Sequence, residues 1–133
     1  MKKELIICII VIAIVVVGNI ITQNNTNQCV SEMNGQLYEL KEELKREVIQ
    51  QNKNEEKINT KIEKIRTRWD EMQESLAFYI EHDELEKVET QIFLLKGDIE
   101  EKVYDDTFAE IEKCIFILEH IADKNALDIK NVF

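Results

Sequence analysis

The chain has 133 residues, room for one domain, with 27 acidic against 17 basic side chains, three glycines and no proline. Such a composition excludes a sheet protein, which needs turn residues at every reversal. A net charge of −10 excludes a surface built to neutralise nucleic-acid phosphates. Abundant Glu, Lys, Ile and Leu with few helix breakers leave an all-α fold of long helices as the expectation.

Residues 5–21 read LIICIIVIAIVVVGNII, uncharged throughout, with Asn19 the only strongly polar member. As a helix rising about 1.5 Å per residue, this run reaches ~26 Å, close to the ~30 Å hydrocarbon core of a bilayer. A lone β-strand in lipid would leave its backbone unpaired, so the β-branched richness does not argue against a helix. The rival is a cleaved secretory signal with Lys2 and Lys3 as its charged start and a cut after Gly18. It lacks an A-x-A pattern, and the apolar run continues through Ile20 and Ile21. An uncleaved signal-anchor is favoured. Lys2 and Lys3 flank its start and the next cation is Lys41. The positive-inside rule then places the N-terminus in the cytoplasm and the rest of the chain outside the cell membrane, as a single-pass protein.

The chain divides into an anchor at 1–22, an uncharged polar spacer at 23–29, an acidic helical domain at 30–126 and a tail at 127–133. Val30, Met33, Leu37, Leu40 and Leu44 are spaced 3, 4, 3 and 4, one helical stripe that Val48 extends. Asn34 and Gly35 interrupt it and can mark the true helix start. Residues 50–57 are wholly polar, either a loop or the solvated middle of one long helix. Ile58, Ile62, Ile65, Trp69, Met72, Leu76 and Tyr79 then repeat as a heptad stripe. Asp83 reads as the N-cap of the next helix, with Glu86 completing a capping box. That helix carries Leu85, Val88, Ile92, Leu95 and Ile99, its apolar face widened by Phe93 and Leu94. Gly97 is tolerated within it or ends it early. Asp105 and Asp106 cap the last helix, where Phe108, Ile111, Ile115 and Leu118 face inward beside Cys114, Ile117 and Ile121. Lys124 and Asn125 close it.

The stripes predict an N-terminal transmembrane helix followed by an antiparallel three- or four-helix bundle. A coiled-coil stalk over 30–80 that drives homodimerisation is the alternative, and a helical-hairpin solenoid a weaker one. Acidity belongs to the second half: residues 22–80 carry a net −2 and residues 81–133 a net −9. The simplest use of that charge is solubility; it would also attract cations or a basic partner.

No catalytic residue is identified: Ser31 and Ser75 sit in no nucleophile motif and no phosphate-cradling glycine loop exists, so an enzyme is not expected. His82 and His120 each follow a glutamate. Together with Glu119 and Asp123 they form a weak candidate metal set, lacking any local metal-binding spacing. As ordinary helix-terminal imidazoles they need no ligand; as titrating groups near carboxylates they offer a pH sensor. Trp69 reads as core, or as a partner-binding anchor. Phe133 ends a tail that packs back on the bundle or docks on a partner. A Cys29–Cys114 disulfide is chemically allowed outside the cytoplasm; buried free thiols are the default.

Several stretches carry a family likeness: the MKKELII start with VGNIITQN, the Trp69-centred helix, the run Tyr79, Ile80, Glu81, His82, Asp83, Glu84, Leu85, the run from Leu118 to Lys124, and the close on Asn131, Val132, Phe133. Over nearly its whole length the chain resembles the domain of unknown function 4363 family, small membrane-anchored proteins of spore-forming Gram-positive bacteria. The resemblance implies membrane association and a helical soluble part. It carries over no functional residues, because the family has no established activity. The expected role is a membrane-tethered accessory or scaffold whose helical domain binds another envelope protein, with a cation or pH sensor as the alternative. Membrane lipid and another membrane protein are the implied partners, with no cofactor and no nucleic acid.

Overall fold

In the computed structural model residues 1–50 and 55–132 are described, residues 50 and 127–132 by backbone alone. Four helices follow in order: α1 (Lys2–Gln50), α2 (Glu55–Leu76), α3 (His82–Glu100) and α4 (Tyr104–Val132). Each packs on two neighbours, α1 on α2 and α4, and α3 on α2 and α4, so they form a closed square. Ion pairs fix the directions. Glu32–Arg68 and Glu39–Lys61 set α2 antiparallel to α1. Lys96–Glu63 and Lys102–Glu55 do the same for α3 against α2, and Lys41–Glu112 together with the Asn125–Thr26 hydrogen bond for α4 against α1. This is an up-down-up-down bundle, and the solenoid reading falls because α1 and α4 meet.

The helical stripes point where their spacing predicts. Met33, Leu37, Leu40 and Leu44 of α1 meet Ile58, Ile62, Ile65 and Trp69 of α2, with Leu95, Ile111, Cys114 and Leu118 closing the core. The heptad stripe of α2 is thus buried within its own chain. Three expectations fail. Val48, Phe93 and Leu94 are exposed, because the core closes before Val48 and the α3 stripe is narrow.

Chain organisation differs further. No spacer separates the apolar run from the domain: α1 is one helix of 49 residues, about 74 Å long. Thr22 and Thr26 turn their hydroxyls back onto the carbonyls of Asn19 (3.0 Å) and Thr22 (2.9 Å), and neighbouring helices supply further partners, so tertiary contacts override weak propensity. Asn34 and Gly35 do not start a helix. Residues 30–80 form two helices whose connection at 51–54 lies outside the described residues. Asp83 is not the N-cap of α3; Glu81 holds that position in an extended conformation without a side-chain cap bond, which leaves Asp83 and Glu84 inside the first turn. Asp105 and Asp106 likewise lie within the first turn of α4, where they complement the helix dipole. Asn125 does not close α4, whose backbone continues to Val132. Phe133 lies outside the described residues, as do the side chains of the tail.

Gly97 does not stop α3. The stop is Lys102, at φ 61. Val103 N–H donates to Asp98 O (2.9 Å) and Lys102 N–H to Ile99 O (3.2 Å), a Schellman pair with lysine where glycine is usual.

Candidate functional site

At one end of the bundle, a polar clasp holds α1 to the α2–α3 turn and to α4. Thr26, fully buried, is its centre. Its hydroxyl lies 2.9 Å from Thr22 O, 3.2 Å from Tyr79 Oη and 3.2 Å from Asn125 Nδ2. Asn25 Nδ2 donates to Tyr79 Oη at 2.7 Å. Proton counting fixes the rest. The one Thr26 proton goes to Thr22 O, so Tyr79, which already accepts from Asn25, donates its own to Thr26 Oγ1. Thr26 then gives one bond and accepts two.

Beside the clasp lies a small cavity of about 70 Å³ bounded by Tyr79, Ile80, Glu84, Lys124 and Asn125. Glu84 is 7% exposed. Its Oε1 pairs with Lys87 at 3.0 Å and Lys124 at 3.6 Å, while buried Oε2 has no described partner. The Lys87 bond, helped by the charges of Lys124 and His120, holds the Glu84 carboxyl below the usual range despite burial.

Both histidines lie toward this end of the bundle. His82 begins α3 and lines a shallow groove toward α2 with Gln73 and Glu74. His120 lies on α4 and influences Glu84. Both imidazoles, Glu119 and Asp123 are exposed. Among the described residues, no three His, Cys, Asp or Glu side chains gather so as to hold a metal ion.

Trp69 is core, 1% exposed, yet also borders a groove of about 330 Å³ between α2 and α3. Trp69 and Ile92 line it beside exposed Phe93, with Arg66, Asp70 and Lys96 around them. The buried Trp69 Nε1–H has no described acceptor. The groove thus sets apolar surface beside both charge signs. Burial pushes the Cys114 thiol up to about 12 and raises Cys29. All three cysteines are free. The Thr26–Asn125 and Lys41–Glu112 pairs set the α1–α4 register, which puts Cys114 near the height of residue 38. That is some nine residues from Cys29, ~13 Å along the axis and beyond disulfide reach.

Sequence reading missed the clasp. Its members lie 53 and 99 residues apart, and no local pattern pairs them.

At the same end α1 leaves the bundle. Beyond Thr22 it continues as a helix long and apolar enough, by length and composition, to cross a membrane, with no residue of its apolar window buried. Cys8 lies within it, exposed.

A family model described as Domain of unknown function (DUF4363) matches residues 20–132, and the chain belongs to that family. The matched segment begins at the end of the apolar run and spans the whole bundle. No curated protein and no solved structure matches the chain.

Proposed function

We propose that this family member is a membrane-tethered, non-enzymatic accessory protein whose four-helix bundle binds another protein of the cell envelope. The observation that carries the reading is the continuity of α1: one helix has no buried residue and a single strongly polar one over residues 5–21, then supplies a full quarter of the bundle core. An apolar surface of that extent is not left to water in a soluble chain, and lipid is the environment that matches its length. Lys2 and Lys3 before the run and no cation until Lys41 favour a cytoplasmic N-terminus with the bundle outside. The groove between α2 and α3, with Phe93 on its rim, supports a protein-binding role.

The test has two stages. Membranes from cells making the full chain are washed with alkaline carbonate and floated on a density gradient. The chain stays with the membrane, and external protease removes the bundle from spheroplasts. A photo-crosslinking residue at Phe93 then captures a discrete membrane protein. Release into the carbonate wash overturns the tether; the absence of any specific crosslinked species from Phe93 overturns the binding role.

A further inference from the structure

We infer that the α2–α3 turn is a second, shallow lipid contact, in which Phe78 lies in the interfacial layer of the same bilayer that residues 5–21 cross. The inference rests on the proposed tether and adds the way the bundle stands on the membrane.

Height is the first ground. Asn25 and Thr26 bind Tyr79 Oη at 2.7 and 3.2 Å, so the turn is held level with residues 25 and 26 of α1. Ile21, the last apolar residue of the run, is four residues away on a helix, about 6 Å. Interfacial groups bury ~5–10 Å into the boundary between headgroups and acyl chains, so a side chain at this height has lipid within reach.

Exposure is the second. Phe78 is 90% exposed, while its neighbours Ala77, Tyr79 and Ile80 pack against the core. A lone exposed phenyl is ordinary on a bundle flank. Here it caps the tip of a turn whose backbone is fixed by Ala77 N–H to Gln73 O, Tyr79 N–H to Leu76 O and Ile80 N–H to Leu76 O. Holding the backbone this way presents the ring with little left to order on binding.

The third is the neighbouring helix. The backbone of α4 runs on past Asn125, which is tied to Thr26, as far as Val132. Those seven residues carry it about 10 Å further toward the apolar end of α1. The exit of α1 is therefore flanked by two elements at the height of the bilayer surface. Glu74, Glu81 and Asp83 around the turn disfavour anionic headgroups, so zwitterionic lipid is the partner specified.

The test uses the full chain reconstituted in phosphatidylcholine vesicles, in a Cys8→Ser background with Cys29 and Cys114 buried. Single spin labels are placed through Phe78→Cys, through Phe116→Cys on the outer side of α4, and through Ile14→Cys in the apolar run. Relaxation by apolar oxygen is compared with relaxation by a water-soluble nickel chelate. The Phe78 label is expected to lose access to nickel and gain access to oxygen, relative to the Phe116 label. A Phe78 label as open to nickel as the Phe116 label, with the Ile14 label in lipid, overturns the inference and leaves the tether standing. An Ile14 label open to nickel overturns the tether and the inference with it. Phe78 and Phe116 are exposed, so neither substitution perturbs the fold.

Discussion

Replacing Thr26 by valine keeps shape and removes one hydroxyl, and the clasp makes the consequence calculable. Thr26 Oγ1 is the acceptor for Tyr79 O–H and for Asn125 Nδ2–H, both at 3.2 Å. Without it two donors lose their partner. A buried polar group left unsatisfied costs about 1–3 kcal/mol. Tyr79 and Asn125 are half-buried, so water restores part of the loss, and a net destabilisation of about 1–2 kcal/mol is expected. For a bundle of this size each kcal/mol lowers Tm by roughly 4–8 °C. The assay is denaturant unfolding of the full chain in mild detergent, followed by the emission of Trp69, the sole tryptophan. A double-mutant cycle with Tyr79→Phe isolates the pair, and a coupling near 1 kcal/mol is expected. Strict additivity of the two changes, or a Thr26→Val effect below about 0.5 kcal/mol, would refute the proton assignment and the clasp with it.

Three further outcomes are expected. Trp69→Ala destabilises the bundle by about 3–5 kcal/mol, and native Trp69 emission resists acrylamide; a freely quenched tryptophan contradicts its burial. Desolvation, then the charges of Glu110, Asp106 and Glu101, hold the Asp98 carboxyl above its ordinary 3.8. An acid with a raised folded-state pKa opposes folding above that value and ceases to when protonated, so Asp98→Asn stabilises the fold at neutral pH and the gain disappears as pH falls through the folded value. Urea midpoints across that range check it, and a gain that persists in acid excludes the electrostatic cause. Cys29 and Cys114 stay unalkylated by maleimide in the native bundle and react on unfolding; prompt labelling of Cys114 contradicts a buried thiol raised to about 12.

The helices were legible because their stripes are written locally. A spacing of 3 and 4 among Met33, Leu37, Leu40 and Leu44, or Ile58 through Leu76, needs nothing beyond one helix to be recognised, and every one of these residues is buried. Boundaries were less legible, because they depend on backbone geometry that side chains only bias. Asp83, a good cap by type, yielded the position to Glu81, which no propensity favours. The end of α3 carries no glycine: Lys102 takes the left-handed conformation, and Gly97 five residues earlier misdirects the eye. The clasp was illegible for a different reason. Asn25, Thr26, Tyr79 and Asn125 matter only as a set, and the set exists only once the bundle has closed.

Residues 22–28 show most plainly how one stretch supports two readings. Read alone, TQNNTNQ is a polar tether, with residues that prefer caps and turns to helix interiors. In the bundle the same polarity is what the position requires, since α1 changes there from a helix apolar on every side to one apolar along a single stripe. A rod in this zone needs side chains that satisfy one another where the core begins and water or headgroups where the run ends. Thr26 turns inward to the clasp while Asn24 and Asn27 face out. No proline and no unwound turn intervenes between the apolar run and Leu44. On the proposed tether, the bundle therefore has no hinge at the membrane: any tilt of the span is a tilt of the bundle, and the height of the α2–α3 turn above the lipid is set by the same helix that crosses it.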